Sequence, residues 1–209
     1  MLPFCAYLMP SFKEHKRSCV EYGIDEEVCE IVNRWMDKPS RYIPGCRHRE
    51  LRHRIENCLT MALKLARGGA FTVALDIDPR AACCAKLNAR RNRLSGLVDI
   101  VVGDLTSPFR KRCFDLIAFN PPYLPVEDQD PRWSGGPSGR AVSDRFIEEA
   151  ALKLRGGGSI LLVQSTTSGI EEALSKLKAK ELRVRVVRVL KVGLFEELAL
   201  IEALKLNLK

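Results

Sequence analysis

The sequence lacks the long apolar runs of a membrane protein and the opening segment of a secreted one. None of its 209 residues belongs to a run approaching the roughly 18 apolar residues that span a membrane. The first ten residues contain two prolines and no basic residue, which is unlike a secretory signal peptide. We therefore expect a cytoplasmic protein that does not insert into membranes.

The C-x-x-C spacing of many metal-binding and redox-active cysteines is also missing. The chain has eight cysteines but no C-x-x-C pair. Cysteines in a cytoplasmic protein are expected to be thiols rather than disulfides. Cys46, His48 and His53 lack the paired spacing of a structural zinc site. We expect no bound metal.

The composition is otherwise that of a globular protein, with 46% hydrophobic and 29% charged residues. The net charge is +8, and many arginines fall within residues 41–54 and 90–93. A basic balance favours an anionic or nucleoprotein partner only weakly. Contact with nucleic acid is therefore the less favoured expectation.

The regularity of the sequence changes near residue 55. Residues 1–54 form a poorly defined N-terminal region, whereas residues 55–209 are predicted to form one domain. Apolar strands alternate with helices there, which predicts an α/β fold with a mainly parallel sheet. Two closing strands, at 182–192 and 198–206, are joined by few residues and should pair antiparallel. Glycines 156–158 follow a helix and precede a strand, so we predict a turn rather than a phosphate loop.

Three polar side chains end three consecutive predicted strands. Asp76 follows the strand at 71–75, Asp104 the strand at 97–102, and Asn120 the strand at 113–119. In an open parallel sheet, ligands bind beyond the carboxyl ends of the strands. Either aspartate alone could simply cap a helix or a turn. All three together indicate a ligand site.

The segment Asn120-Pro121-Pro122-Tyr123 predicts what one side of that site binds. Proline fixes its own φ and keeps the preceding residue extended, so the Asn120 side chain has a set direction. Amide oxygens accept from an –NH2 group, and an aromatic ring can pack on its plane. An ordinary strand-ending turn is the alternative.

With Asp76 and Asp104, this tetrapeptide resembles the class I S-adenosylmethionine-dependent methyltransferases and their Rossmann-like fold. It is most similar to the HemK-type enzymes that methylate glutamine N5 in peptide release factors. The segment Trp133-Ser134-Gly135-Gly136-Pro137-Ser138-Gly139-Arg140, followed by Asp144-Arg145-Phe146, resembles their short archaeal and eukaryotic branch. The likeness runs from about residue 61 to the C-terminus.

The resemblance implies roles for individual residues. The implied catalytic residues bind the amide of the GGQ glutamine of a class I release factor; they are Asn120, Pro121, Pro122 and Tyr123. The implied S-adenosyl-L-methionine-binding residues are Asp76, Ile77, Asp104, Leu105 and Asn120. A small zinc-binding activator subunit is the implied partner.

One family feature is missing. The glycine-rich turn expected shortly before Met61 is replaced by a stretch without glycine, residues 51–60. The chain has either lost its cofactor loop, or its N-terminal part is read out of frame. The codons permitted for residues 53–58, read one base later, can spell I-E-L-K-T, and those for residues 40–44 can spell A-D-T-Y-L. Both resemble family motifs, so we favour the second explanation.

Two other functions stay open. An adenine-N6 or other nucleobase amine methyltransferase would meet the same planar –NH2 on a flipped base. No separate target-recognition domain is evident in a chain of this length, which argues against it. A catalytically silent fold that binds a partner would explain the missing glycines.

Overall fold

The computed structural model describes residues 62, 65–66, 68–126, 134–191 and 196–207. These fall into two compact units, one ending at Val102 and the other continuing from Gly103. The predicted boundary at residues 54 and 55, the expected glycine loop and the suggested frame change all lie outside the described residues.

The first unit contains a strand, a helix and a second strand: β1 (Thr72–Asp76), α1 (Pro79–Arg91) and β2 (Val98–Val102). The two strands pair in parallel. Helix α1 begins where it does because the Asp78 side chain accepts from the Arg80 N–H at 2.9 Å, and Pro79 fits the first turn. Small alanines on α1 pack against Val98 of the sheet.

The second unit is built on a four-stranded sheet. Its elements are β3 (Phe114–Phe119), α2 (Ala141–Lys153), β4 (Leu154–Ser165), a short 3₁₀ turn (Thr166–Ser168), α3 (Ile170–Ala179), β5 (Leu182–Lys191) and β6 (Glu197–Lys205). The strand order is β3-β4-β6-β5. Strands β3 and β4 are parallel, while β6 is antiparallel to both of its neighbours.

One face of this sheet forms the main core. Alternate strand residues point towards helices α2 and α3, so that Phe119, Leu162 and Ile201 share a cluster with Phe146 and Leu177. The rings of Phe119 and Phe146 lie 4.4 Å apart between centroids. The end of β3 is therefore held firmly on α2.

The α/β class, the parallel strands and the antiparallel closing pair are confirmed. The prediction that glycines 156–158 form a turn is wrong in one respect, because they lie within β4. Between the pairs Phe114↔Leu154 and Leu116↔Ser159, β4 advances five residues while β3 advances two, and the extra residues form a bulge. Gly157 supplies the positive φ of 78° there.

The cysteines follow the thiol prediction only in part. Cys83 and Cys113 are free, but Cys84 is disulfide-bonded, which corrects the prediction for that residue. Within the described ranges, no group of three His, Cys, Asp or Glu side chains is arranged to hold a metal ion. No helix in the same ranges is long and apolar enough to cross a membrane.

Candidate functional site

Asn120 follows β3 directly and carries an unusual acceptor. Its side-chain Oδ1 is buried and makes no hydrogen bond with any described residue. Pro121 and Pro122, which come next, are both buried. Leaving a buried polar atom unpaired costs about 1–3 kcal/mol, so such atoms in native proteins call for an explanation. An N–H donor on a ligand would supply the missing partner.

The backbone beyond the two prolines is held by residues 134–140. Ser134 forms an isolated parallel bridge with Leu124, and the Gly135 N–H donates to the Leu124 carbonyl at 2.9 Å. Gly139 lies so close that a Cβ there would be 2.5 Å from the Tyr123 carbonyl oxygen. Residues 134–140, which belong to the segment that resembles the short archaeal and eukaryotic branch, thus pack against the Asn-Pro-Pro-Tyr segment and hold its backbone in place. Trp133 of the same motif lies outside the described residues.

Replacing Gly139 with alanine should therefore destabilise the protein and impair the site. The residue has a φ of +69°, and the added methyl group would also lie 2.9 Å from the Ser168 Cβ. We expect a loss of about 1–3 kcal/mol in the free energy of unfolding, measured by urea denaturation. Gly96→Ala is the matched control, because a Cβ at Gly96 has open space. Equal stability of both variants would show that the close approach is unimportant.

The predicted cofactor side of the second unit is the loop that follows β2. Asp104 forms an ion pair with Arg145 of α2, with Oδ2 and Nη2 2.5 Å apart. The other carboxylate oxygen, Oδ1, is buried and has no hydrogen-bond partner among the described residues. The hydrogen bond to Asp104 raises the pKa of Arg145 above its ordinary value.

Leu105 turns this loop sharply. It has a φ of 48°, a left-handed conformation that costs a non-glycine residue energy, and its side chain is buried in the core. The next residue, Thr106, donates from Oγ1 to Glu149 at 3.3 Å. A strained backbone held in place by burial is common at functional sites.

Asp76 and Ile77 lie in the first unit, at the carboxyl end of β1 as predicted. The Asp76 Oδ1 accepts the Asp78 N–H at 2.8 Å, which fixes the turn into α1. The structure therefore places Asp104, Leu105 and Asn120 in one unit and Asp76 and Ile77 in the other. Asp76 is the last residue of β1, Asp104 lies two residues after β2, and Asn120 directly follows β3.

The open oxygen of Asp104 tests whether these residues suit the implied cofactor. A buried carboxylate oxygen without a partner is matched by an N–H donor, and the adenine of S-adenosylmethionine carries such a group on C6. The donor set fits. An α/β fold that presents carboxylates and an asparagine at its strand ends is the arrangement expected of a Rossmann-like methyltransferase.

The chain belongs to the methyltransferase small domain family, whose model matches residues 57–188. It is 36% identical over 147 residues to the "Putative protein N5-glutamine methyltransferase" of the archaeon Methanocaldococcus jannaschii, covering 67% of this chain and 73% of that protein. It is 32% identical over 122 residues to the release factor glutamine methyltransferase of Moorella thermoacetica, covering 53% of this chain and 42% of that protein.

A solved methyltransferase from Pyrococcus furiosus has the same fold. The TM-score is 0.52 at 25% identity, with 71% of this chain and 70% of that one covered. These likenesses confirm the predicted family, the Rossmann-like fold, the methyltransferase class and S-adenosylmethionine as the cofactor of the class. The roles of individual residues stay predictions.

Sequence reasoning missed the residues that hold the site in place. Arg145 and Glu149 were given no role, and Gly135 and Gly139 were noted only as part of a motif. Their partners are distant in sequence: Arg145 contacts Asp104, 41 positions earlier. The one available signal was the run Asp144-Arg145-Phe146, which marked the segment without showing its contacts.

Proposed function

We propose that this chain is an S-adenosylmethionine-dependent N-methyltransferase that methylates the side-chain amide of a glutamine in a class I peptide release factor. The buried, unpaired Oδ1 of Asn120 carries the proposal. The names of the two curated relatives, which specify glutamine and release factor, support the choice of substrate. The expected cytoplasmic location is part of the same proposal.

The acceptor residues would work by orientation. Asn120 Oδ1 would accept one N–H of the glutamine amide, while Pro121 and Pro122 keep it in place. Tyr123 would pack on the amide plane. An amide nitrogen is a poor nucleophile because its lone pair is delocalised, so positioning and hydrogen bonding must carry most of the catalysis. S-adenosylmethionine, when bound, supplies an electrophilic methyl group.

The residues proposed to bind the cofactor lie at or just after the ends of β1, β2 and β3. In our proposal Asp76 and Ile77 hold the ribose side, and Asp104 and Leu105 hold the adenine. Asn120 would contact both the cofactor and the substrate. These assignments rest on the family's pattern at the matching positions, together with the open oxygen of Asp104.

Labelled methyl transfer tests this function. The purified chain is incubated with S-adenosylmethionine carrying a labelled methyl group and with a class I release factor. We expect label in the release factor, and none in a variant whose GGQ glutamine is replaced by glutamate, because the glutamate side chain has no amide nitrogen. Label in both forms would contradict glutamine as the acceptor.

A second methyl acceptor is tested in the same assay. The net charge of +8 and the planar –NH2 of a nucleobase favour nucleic acid as the alternative substrate. Label in DNA or RNA, but not in the release factor, would establish it. A chain that binds no S-adenosylmethionine in calorimetry would instead be the catalytically silent protein.

The implied zinc-binding activator subunit is also part of the proposal. Among the described residues, β2 pairs through one edge only, with β1, and its last residue Val102 is half exposed. Such an edge can add a strand from a partner. The labelling assay is therefore run with and without a co-expressed activator.

A further inference from the structure

The loop after β2 is fastened to α2 at two points one helical turn apart. Arg145 of the helix donates to Asp104 at 2.5 Å, and Glu149 accepts from Thr106 at 3.3 Å. Between the two lies Leu105, whose side chain is 1% exposed and part of the main core. The conformation of the loop is therefore set by α2 and not only by its own sequence.

Helix α2 is a rigid base for this loop. Phe146 and Ile147, which follow Arg145, are completely buried, and the Phe146 ring packs on Phe119 at the end of β3. Arg145 itself points outward, with 55% of its side chain exposed. The backbone at Arg145 is thus fixed by its buried neighbours, while its exposed side chain extends along the surface to Asp104.

The two oxygens of Asp104 have different surroundings. Oδ2 is paired with Arg145, whereas Oδ1 is buried and unpaired among the described residues. An unrestrained carboxylate could rotate to bring either oxygen to a donor or to water. Arg145 removes that freedom and leaves Oδ1 as the one unpaired acceptor of this carboxylate. Such an acceptor suits a ligand N–H and repels a ligand carbonyl oxygen.

We infer that Arg145 is a positioning residue that orients Asp104 and thereby selects adenine over nucleobases with a carbonyl at C6. This inference rests on the proposed cofactor site, since it concerns how that site recognises its nucleobase. Adenine presents an –NH2 at C6, whereas hypoxanthine presents an oxygen there. The ligand class is therefore a 6-aminopurine nucleoside.

The same unit contains a matched ion pair for comparison. Arg155 contacts both oxygens of Asp115 at 3.0 and 2.7 Å, and the pair spans 40 sequence positions. Its arginine is 49% exposed, close to the value for Arg145. Asp115 lies near the start of β3, away from the strand ends that carry the site. Arg155→Ala therefore removes a similar surface ion pair without touching the proposed site.

The test measures nucleobase discrimination. Calorimetry gives the Kd of S-adenosylhomocysteine and of S-inosylhomocysteine, in which hypoxanthine replaces adenine, for the wild type, Arg145→Ala, Arg145→Lys and Arg155→Ala. We expect the wild type to prefer the adenine compound by on the order of a hundredfold. In Arg145→Ala the Kd for the adenine compound should rise about tenfold and the preference should shrink to a similar extent.

The two control variants separate orientation from general stability. Lysine keeps the charge but makes a single contact, so Arg145→Lys should recover part of the preference. Arg155→Ala should keep all of it. In methyl transfer, Arg145→Ala should raise KM for S-adenosylmethionine and leave kcat unchanged, as expected when binding alone is weakened.

The outcomes are distinguishable. An Arg145→Ala variant that keeps the wild-type preference overturns the role of Arg145 and leaves the proposed function intact. A wild type that binds S-adenosylhomocysteine without preferring adenine overturns the role in the same way. A wild type that binds neither compound overturns the cofactor site, and the inference with it.

Discussion

The variant Asn120→Ala should lose methyl transfer by about a hundredfold to a thousandfold while remaining folded. Removing one preoriented hydrogen-bonding group from an active site typically has an effect of that size. Asn120 Oδ1 is buried and unpaired, so it is available to orient a substrate amide. Its loss should lower kcat, measured by transfer of a labelled methyl group to the release factor.

The stability of this variant provides a second readout. Alanine removes a buried acceptor that has no partner among the described residues, so the free energy of unfolding should stay within about 1 kcal/mol of the wild type. A structural asparagine with satisfied hydrogen bonds would show the opposite pattern, a loss of stability together with a loss of activity.

Asn207→Ala is the matched control for this experiment. Asn207 is exposed and lies beside Gly156, near the start of β4. Asn120 instead follows the carboxyl end of β3, which is parallel to β4, so the two asparagines lie at opposite ends of these strands. We expect unchanged activity and stability. Retained transfer by Asn120→Ala would falsify the role proposed for Asn120 and remove the main support for an amide acceptor.

Strand order along the chain could be predicted because each strand carries its own local signal. The apolar run 113–119 followed by Asn-Pro-Pro marks both the strand and its end, and β3 ends at Phe119 as expected. Asp76 could be placed in the same way because it directly follows an apolar run, and Asp104 because it follows such a run after one glycine. The sequence therefore showed which residues stand at the strand ends.

Long-range contacts could not be predicted from such signals. Nothing in the spacing of residues 103–107 shows that Arg145 and Glu149 would hold this loop, because both contacts cross more than 40 positions. The insertion of β6 between β4 and β5 is likewise a matter of tertiary packing. A glycine run in isolation predicts a turn, whereas the register shift in the pairing of β4 with β3 makes it a bulge within β4.

The left-handed Leu105 illustrates the same limit. Leucine rarely adopts a positive φ, so propensity alone argues against the observed conformation. Burial of its side chain in the main core offsets the backbone strain. The loop geometry that presents Asp104 therefore depends on the core beneath it, and the core depends on α2.

Phe146→Ala should accordingly have the largest effect on stability. The ring is completely buried and packs on Phe119, with ring centroids 4.4 Å apart. Truncating such a residue costs about 3–5 kcal/mol, a large part of the 5–15 kcal/mol that stabilises a typical domain. We expect this loss in urea denaturation of the purified chain.

Leu152→Ala on the same helix is the control. Leu152 is 51% exposed, so its truncation should change the free energy of unfolding by no more than about 0.5 kcal/mol. Phe146 directly follows Arg145, which orients Asp104. Its ring packs on Phe119, which directly precedes Asn120. Under conditions in which Phe146→Ala is still folded, without urea, the variant should therefore show weaker S-adenosylhomocysteine binding and slower methyl transfer. A variant that is destabilised but keeps both functions at wild-type levels would show that the two sides of the site do not depend on α2.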